Sequence, residues 1–76
     1  MREFLEYVAK RLVDNPDSVV ITEEDKDNKV IFKIKVDQAD IGKIIGKQGR
    51  TAQSMRVLLS AVAAKSGKRA ILEVED

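Results

Sequence analysis

Apolar residues recur along this chain in two rhythms, one helical and one of period two. Between Arg2 and Asp14, Phe4, Leu5, Val8 and Leu12 occupy the i, i+1, i+4 and i+8 positions of one helix face, with Glu3, Glu6, Lys10 and Arg11 elsewhere. An amphipathic helix is predicted, ending near Asp14 because Asn15 precedes Pro16 and is pushed out of the α region. The β-branched run Val19-Val20-Ile21-Thr22 predicts a short strand over Ser18 to Thr22, followed by a polar loop from Glu23 to Lys29. Val30, Phe32, Ile34 and Val36 then alternate with Ile31, Lys33 and Lys35, the pattern of a strand buried on one face. The two strands are expected to form a hairpin.

Asp37 to Asp40 supplies helix-starting side chains, and Asp40 is expected to cap a helix of about two turns carrying Ile41, Ile44 and Ile45 on one side. Gly46 to Gly49 interrupts it. Met55, Leu58, Leu59, Val62 and Ala63 return at spacings of three and four up to Gly67, a predicted C-cap, with Lys65 and Lys68 suited to the helix dipole. Ala70 to Glu75 alternates again, with Leu72 and Val74 on one side, and predicts a last strand. The order α-β-β-α-α-β defines an α+β fold. A short hairpin makes the first two strands antiparallel, and a crossover through two helices returns the third parallel to the second. All three helices should cover one face of this mixed sheet, burying the Phe4/Val8/Leu12, Ile44/Ile45 and Leu58/Val62 stripes together.

Composition narrows the chemistry. Seventy-six residues fit one domain, spanning 1–76, in a size range where dimerisation adds welcome burial. The chain has no Cys and no His, which excludes disulfides, thiolate chemistry, the usual zinc sites and His-based triads. Without a signal-like or membrane-spanning apolar run, cytoplasmic residence is expected. Net charge is only +1, yet it is unevenly placed. Residues 1–40 carry seven basic and ten acidic side chains, whereas residues 41–72 carry seven basic ones (Lys43, Lys47, Arg50, Arg56, Lys65, Lys68 and Arg69) and no acid. That block reads as a polyanion footprint, and it contains the glycine turn.

Gly46 and Gly49 hold only Lys47 and Gln48 between them and lead into a helix at Arg50. Glycine permits positive φ and close approach of another molecule's backbone, and the first turn of a helix suits an anion. Ile45-Gly46-Lys47-Gln48-Gly49-Arg50 is similar to the Ile-Gly-x-x-Gly core of KH domains, which bind single-stranded RNA or DNA. The element order resembles the bacterial type II KH fold, and the whole chain looks like the small, single-domain bacterial KH proteins of the KhpA kind. The resemblance implies a single-stranded RNA-binding protein whose turn clamps about four nucleotides. Gly46 and Gly49 would permit the approach, Lys47 and Gln48 would face phosphate and sugar, and Ile41, Ile45 and Met55 would line a groove under the bases. It also implies self-association and pairing with a larger KH-domain RNA-binding protein, and no cofactor. Where many KH domains carry Ile three residues after the second glycine, this chain has Ala52.

Around the turn, Lys43, Lys47 and Arg50 are expected to meet phosphate, with Arg56 as a further contact. Lys33 and Lys35 fit either an extension of that surface or the solvent side of the sheet. Phe4, Tyr7 and Phe32, the only aromatics, lie far in sequence from the basic block and are expected in the core. Gly42 to Lys47 is one residue short of a P-loop, with Gln48 where Ser or Thr should hold magnesium. Thr51, Ser54 and Ser60 have no His as a base, so catalysis is not expected. Lys43 and the shortness of the helix exclude a membrane role for Gly42-x-x-x-Gly46. The competing reading is a protein-interaction or dimerisation module.

Overall fold

The computed structural model describes residues 2–75. Its elements are α1 (Arg2–Leu12), β1 (Val20–Asp25), β2 (Lys29–Lys35), α2 (Ile41–Ile45), α3 (Arg50–Ala64) and β3 (Arg69–Glu75), with 3-10 turns at Pro16–Ser18, Gln38–Asp40 and Lys47–Gly49. The sheet order is β1-β2-β3. β1 runs antiparallel to β2, with Ile21 opposite Ile34, and β3 runs parallel to it, with Leu72 beside Phe32. The α+β architecture with three helices and a mixed sheet is the one expected.

The core lies between helices and sheet. Val30, Phe32, Ile34 and Val36 are all buried, as the period-two pattern requires, and they pack with Leu72, Ile44, Met55, Leu59, Leu5, Ala9 and Val13. α3 stops at Ala64 with Lys65 as its cap, and the left-handed Gly67 (φ of +71°) then turns the chain so that the N–H of Lys68 reaches back to the Ala63 carbonyl at 3.0 Å, the glycine closing the helix end from three residues beyond it.

Several expectations need correction. β1 runs to Asp25, so the expected loop from Glu23 shrinks to residues 26–28, and Pro16–Ser18 is a 3-10 turn. The acidic residues are held in the ladder by pairing with Val30, Ile31 and Phe32, and Glu24 and Asp25 meet Lys33 and Lys68. Asp40 makes no capping hydrogen bond to α2; its carboxylate is buried and turned to the end of α1. On α3 the buried stripe is Ala52, Met55, Leu59 and Ala63, leaving Leu58 and Val62 exposed. Likewise α1 buries Leu5 and Ala9 while Phe4 is 43% exposed. The alanines explain the rotation, since a face of small side chains lets a helix approach the sheet closely. Of the aromatics only Phe32 is in the core, and Tyr7, at 65% exposure, lies beneath the Arg11 guanidinium, 5.7 Å from its ring centre.

Candidate nucleic-acid interface

The turn between α2 and α3 is built from left-handed backbone. Gly46 has φ of 78° and ψ of 174°, Gln48 has φ of 58° and Gly49 φ of 73°. Gln48 is the one non-glycine residue at positive φ among the described residues, a conformation costly for an L side chain. It is held by the Gly49 N–H donating to the Gly46 carbonyl at 3.1 Å and the Arg50 N–H donating to the Lys47 carbonyl. The turn's entry is fixed in the same way, by the Gly46 N–H on the Gly42 carbonyl at 2.8 Å.

The two glycines serve different ends. A Cβ on Gly46 would lie 2.6 Å from the Cβ of Thr51 and 2.9 Å from its backbone nitrogen, so the vacancy at this position is filled by the chain itself. At Gly49 nothing lies within 4 Å of where a Cβ would project. Only Gly49 therefore leaves room for an external backbone, and it stands at the N-terminus of the fifteen-residue helix α3. The N–H groups of Gly49 and Arg50 are spent inside the turn, so what favours an anion here is the positive end of the α3 dipole together with the exposed cations beside it. Lys47, Gln48 and Arg50 are exposed around it, with Arg50 Nη2 donating to Gln48 Oε1 at 3.3 Å. Ile45 is exposed beside the turn, and Ile41 is half-buried against the core.

Three of the expected site residues make contacts within the protein itself. Met55 is 3% exposed and belongs to the core, so it lines no open groove. Ala52 is buried with it. Arg56 is exposed, and its Nη2 donates to the Leu72 carbonyl of β3 at 3.4 Å. Lys43 donates to Asp14 and to Asp40, the latter at 3.2 Å, and these bonds hold its pKa above the ordinary lysine value. Burial alone would raise the Asp40 carboxyl, but N–H donors of Asn15 and Asp14 together with Lys43 outweigh it and hold the group below its ordinary range. Lys33, left open by the sequence, pairs with Glu24 at 3.5 Å on the side of the sheet away from the core.

Thr51 and Asp40 are the residues whose parts were not foreseen. No periodicity marks Thr51, whereas the i, i+3 spacing of Asp40 and Lys43 was a readable sign of the ion pair. Among the described residues no group of three or more metal-ligating side chains occurs, and no helix is long and apolar enough to cross a membrane. A groove of about 390 Å³ runs between α1 and α3, lined by Phe4, Leu58, Leu59, Ala61 and Val62.

Comparison with known proteins agrees with this architecture. The family described as KhpA/KhpB, KH domain, matches residues 2–74. The chain is 45% identical to the RNA-binding protein KhpA of Aquifex aeolicus, over 97% of this chain and 94% of that one. It is 47% identical to the protein of that name from Caldanaerobacter subterraneus, over 97% and 99%, and 43% identical to that of Listeria monocytogenes, over 97% of each. No solved structure gives a match. With a family match running almost end to end over a mixed three-stranded sheet and a Gly-x-x-Gly turn between its last two helices, the chain belongs to the KhpA/KhpB KH-domain family, which is non-enzymatic.

Proposed function

We propose that this chain is a cytoplasmic single-stranded RNA-binding protein that holds the nucleic-acid backbone at residues 46–50 and serves as an RNA chaperone or post-transcriptional regulator. The observation that carries this reading is the open left-handed position at Gly49 facing the start of α3, flanked by exposed Lys47 and Arg50 in a stretch without acids. Relatives 43 to 47% identical bear the name RNA-binding protein. The backbone is gripped by the start of α3 and by the cations Lys47 and Arg50, which carry no base information. With Met55 and Ala52 buried, bases meet only Ile45 and the edge of Ile41, and sequence preference is weak.

The test is fluorescence anisotropy with a short single-stranded RNA at two salt concentrations, comparing the native chain with Lys47→Asp/Gln48→Asp. Aspartate visits the left-handed region more readily than most residues, so the change at position 48 suits the turn it replaces. Circular dichroism checks the fold. Salt-sensitive binding that is lost in the folded double variant supports the clamp; equal binding by both proteins, or none by either, refutes it.

A second reading has its own observation. Phe4, Leu58 and Val62 expose apolar surface on the far side of α3, which suits docking another folded chain, either a second copy or a larger KH-domain protein. Both activities fit on one molecule because the two surfaces use different residues.

A further inference from the structure

The polar groups around Lys43 join two segments of chain. Asp40, 2% exposed, accepts the Asn15 backbone N–H on Oδ2 at 3.1 Å and Lys43 Nζ on Oδ1 at 3.2 Å. Lys43 donates as well to Asp14. Asn15 Nδ2 donates to Asp37 at 2.8 Å and to Ser18 Oγ at 2.9 Å. Residues 37–43 thus grip residues 14–18, where the chain leaves α1. The grip enters α2 at Lys43, leaving Ile44 and Ile45 between it and the turn, on a helix five residues long and far too short to hold its own direction in isolation. Its last hydrogen bond is the one that places Gly46.

We propose that Asp40 and Lys43 are positioning residues, a latch that fixes the direction of α2 and hence the pose of the Gly46–Gly49 turn, and that Lys43 is not a phosphate contact. This rests on the reading of the turn as an RNA clamp. A cation shared between two carboxylates has its charge answered within the protein. Handing it to a phosphate would leave the buried Asp40 carboxylate short of a partner, which is strongly unfavourable. Lys47 differs, since among the described residues no carboxylate lies within ion-pair reach of it.

The two roles separate in the salt dependence of binding. For a single strand, removing one lysine that neutralises a phosphate flattens the slope of log K against log salt by about 0.7. Anisotropy titrations over a salt series should show Lys47→Met flattening the slope by that amount. Lys43→Met should weaken binding about fivefold, the lower end of coupling between sites, at an unchanged slope. Lys43→Arg should restore it, and Asp40→Asn combined with Lys43→Met should be no weaker than the worse single variant. The second measurement needs no RNA. Backbone amide resonances of Gly46, Lys47, Gln48 and Gly49 should shift in free Lys43→Met, with faster hydrogen exchange at Gly46. A slope flattened by about 0.7 in Lys43→Met makes it a phosphate contact and overturns the latch. Unmoved turn resonances in the free variant overturn it whatever the RNA result. If the native chain binds no RNA, the clamp reading fails, and the resonances alone decide whether the latch exists.

Discussion

Thr51 lies against the face of Gly46 from which a side chain would project, its backbone nitrogen 2.9 Å from the place of a Cβ. Gly46→Ala therefore meets two obstacles, a positive φ and a neighbour that includes backbone and cannot swing aside. The expected loss is about 2 kcal/mol or more, mostly from forced displacement of the start of α3. Thermal denaturation followed by circular dichroism checks it; in a domain of this size that loss lowers the midpoint by roughly 10 °C. Truncating Thr51 to Ala should not rescue the variant, because the crowding Cβ and nitrogen remain.

Gly49 should behave differently although its φ is nearly the same. No atom crowds it, so Gly49→Asn should fold with a loss below about 1 kcal/mol, since asparagine tolerates the left-handed region. RNA affinity should nevertheless fall, as the new side chain fills the space left for the phosphate backbone. A melting curve paired with an anisotropy titration separates the two effects. Gly49→Asn that binds as well as the native chain would remove Gly49 from the interface.

Acid should loosen the molecule through Asp40. Its folded-state pKa lies below the unfolded value, so the stability it contributes is present above the unfolded pKa and is lost as pH falls through the folded one. Lys43 is shifted upward, so its contribution is full below the unfolded lysine pKa and disappears as pH rises through the folded value, beyond about 10.5. The melting temperature of Asp40→Asn should accordingly decline less between pH 6 and pH 3, in roughly the range where carboxylates titrate, than that of the native chain. Parallel declines would show that other carboxylates govern acid unfolding.

The groove between α1 and α3 gives a prediction for association. Leu58 is 52% exposed, so Leu58→Glu should cost the fold little, while placing charge in an apolar surface should abolish docking there. Sedimentation velocity over a concentration series reads the result. An unchanged oligomeric state in a folded Leu58→Glu protein would place any self-association on another face.

The second and third strands and the turn were legible because their signals are local, whereas the acidic half of β1 was hidden by its loop-like composition. Alternation at Val30, Phe32, Ile34 and Val36 fixes which face is buried, and a pair of glycines with two residues between them marks a turn of positive φ. Helix phase was less legible. Along α3 the stripe with Leu58 and Val62 outweighs the one with Ala52 and Ala63 in hydrophobicity, yet close packing against β3 selects the smaller residues. Charge was least legible. Lys43, Lys47 and Arg50 look alike in sequence, and only the fold shows Lys43 enclosed by Asp14 and Asp40, one of them twenty-nine residues away.

The parallel pairing of β2 with β3 also bears on how the molecule comes into being. Val30 lies beside Ala70, forty residues further on, so the two strands meet only after a long loop has closed. The glycine turn sits inside that loop. Its support on α3 is not completed until Arg69–Glu75 has been synthesised and added to the sheet edge. During translation, then, a ribosome-bound chain lacking that strand also lacks the surface against which α3 packs. The packing that supports the turn through α3 is therefore expected to arrive together with the finished sheet, late in folding.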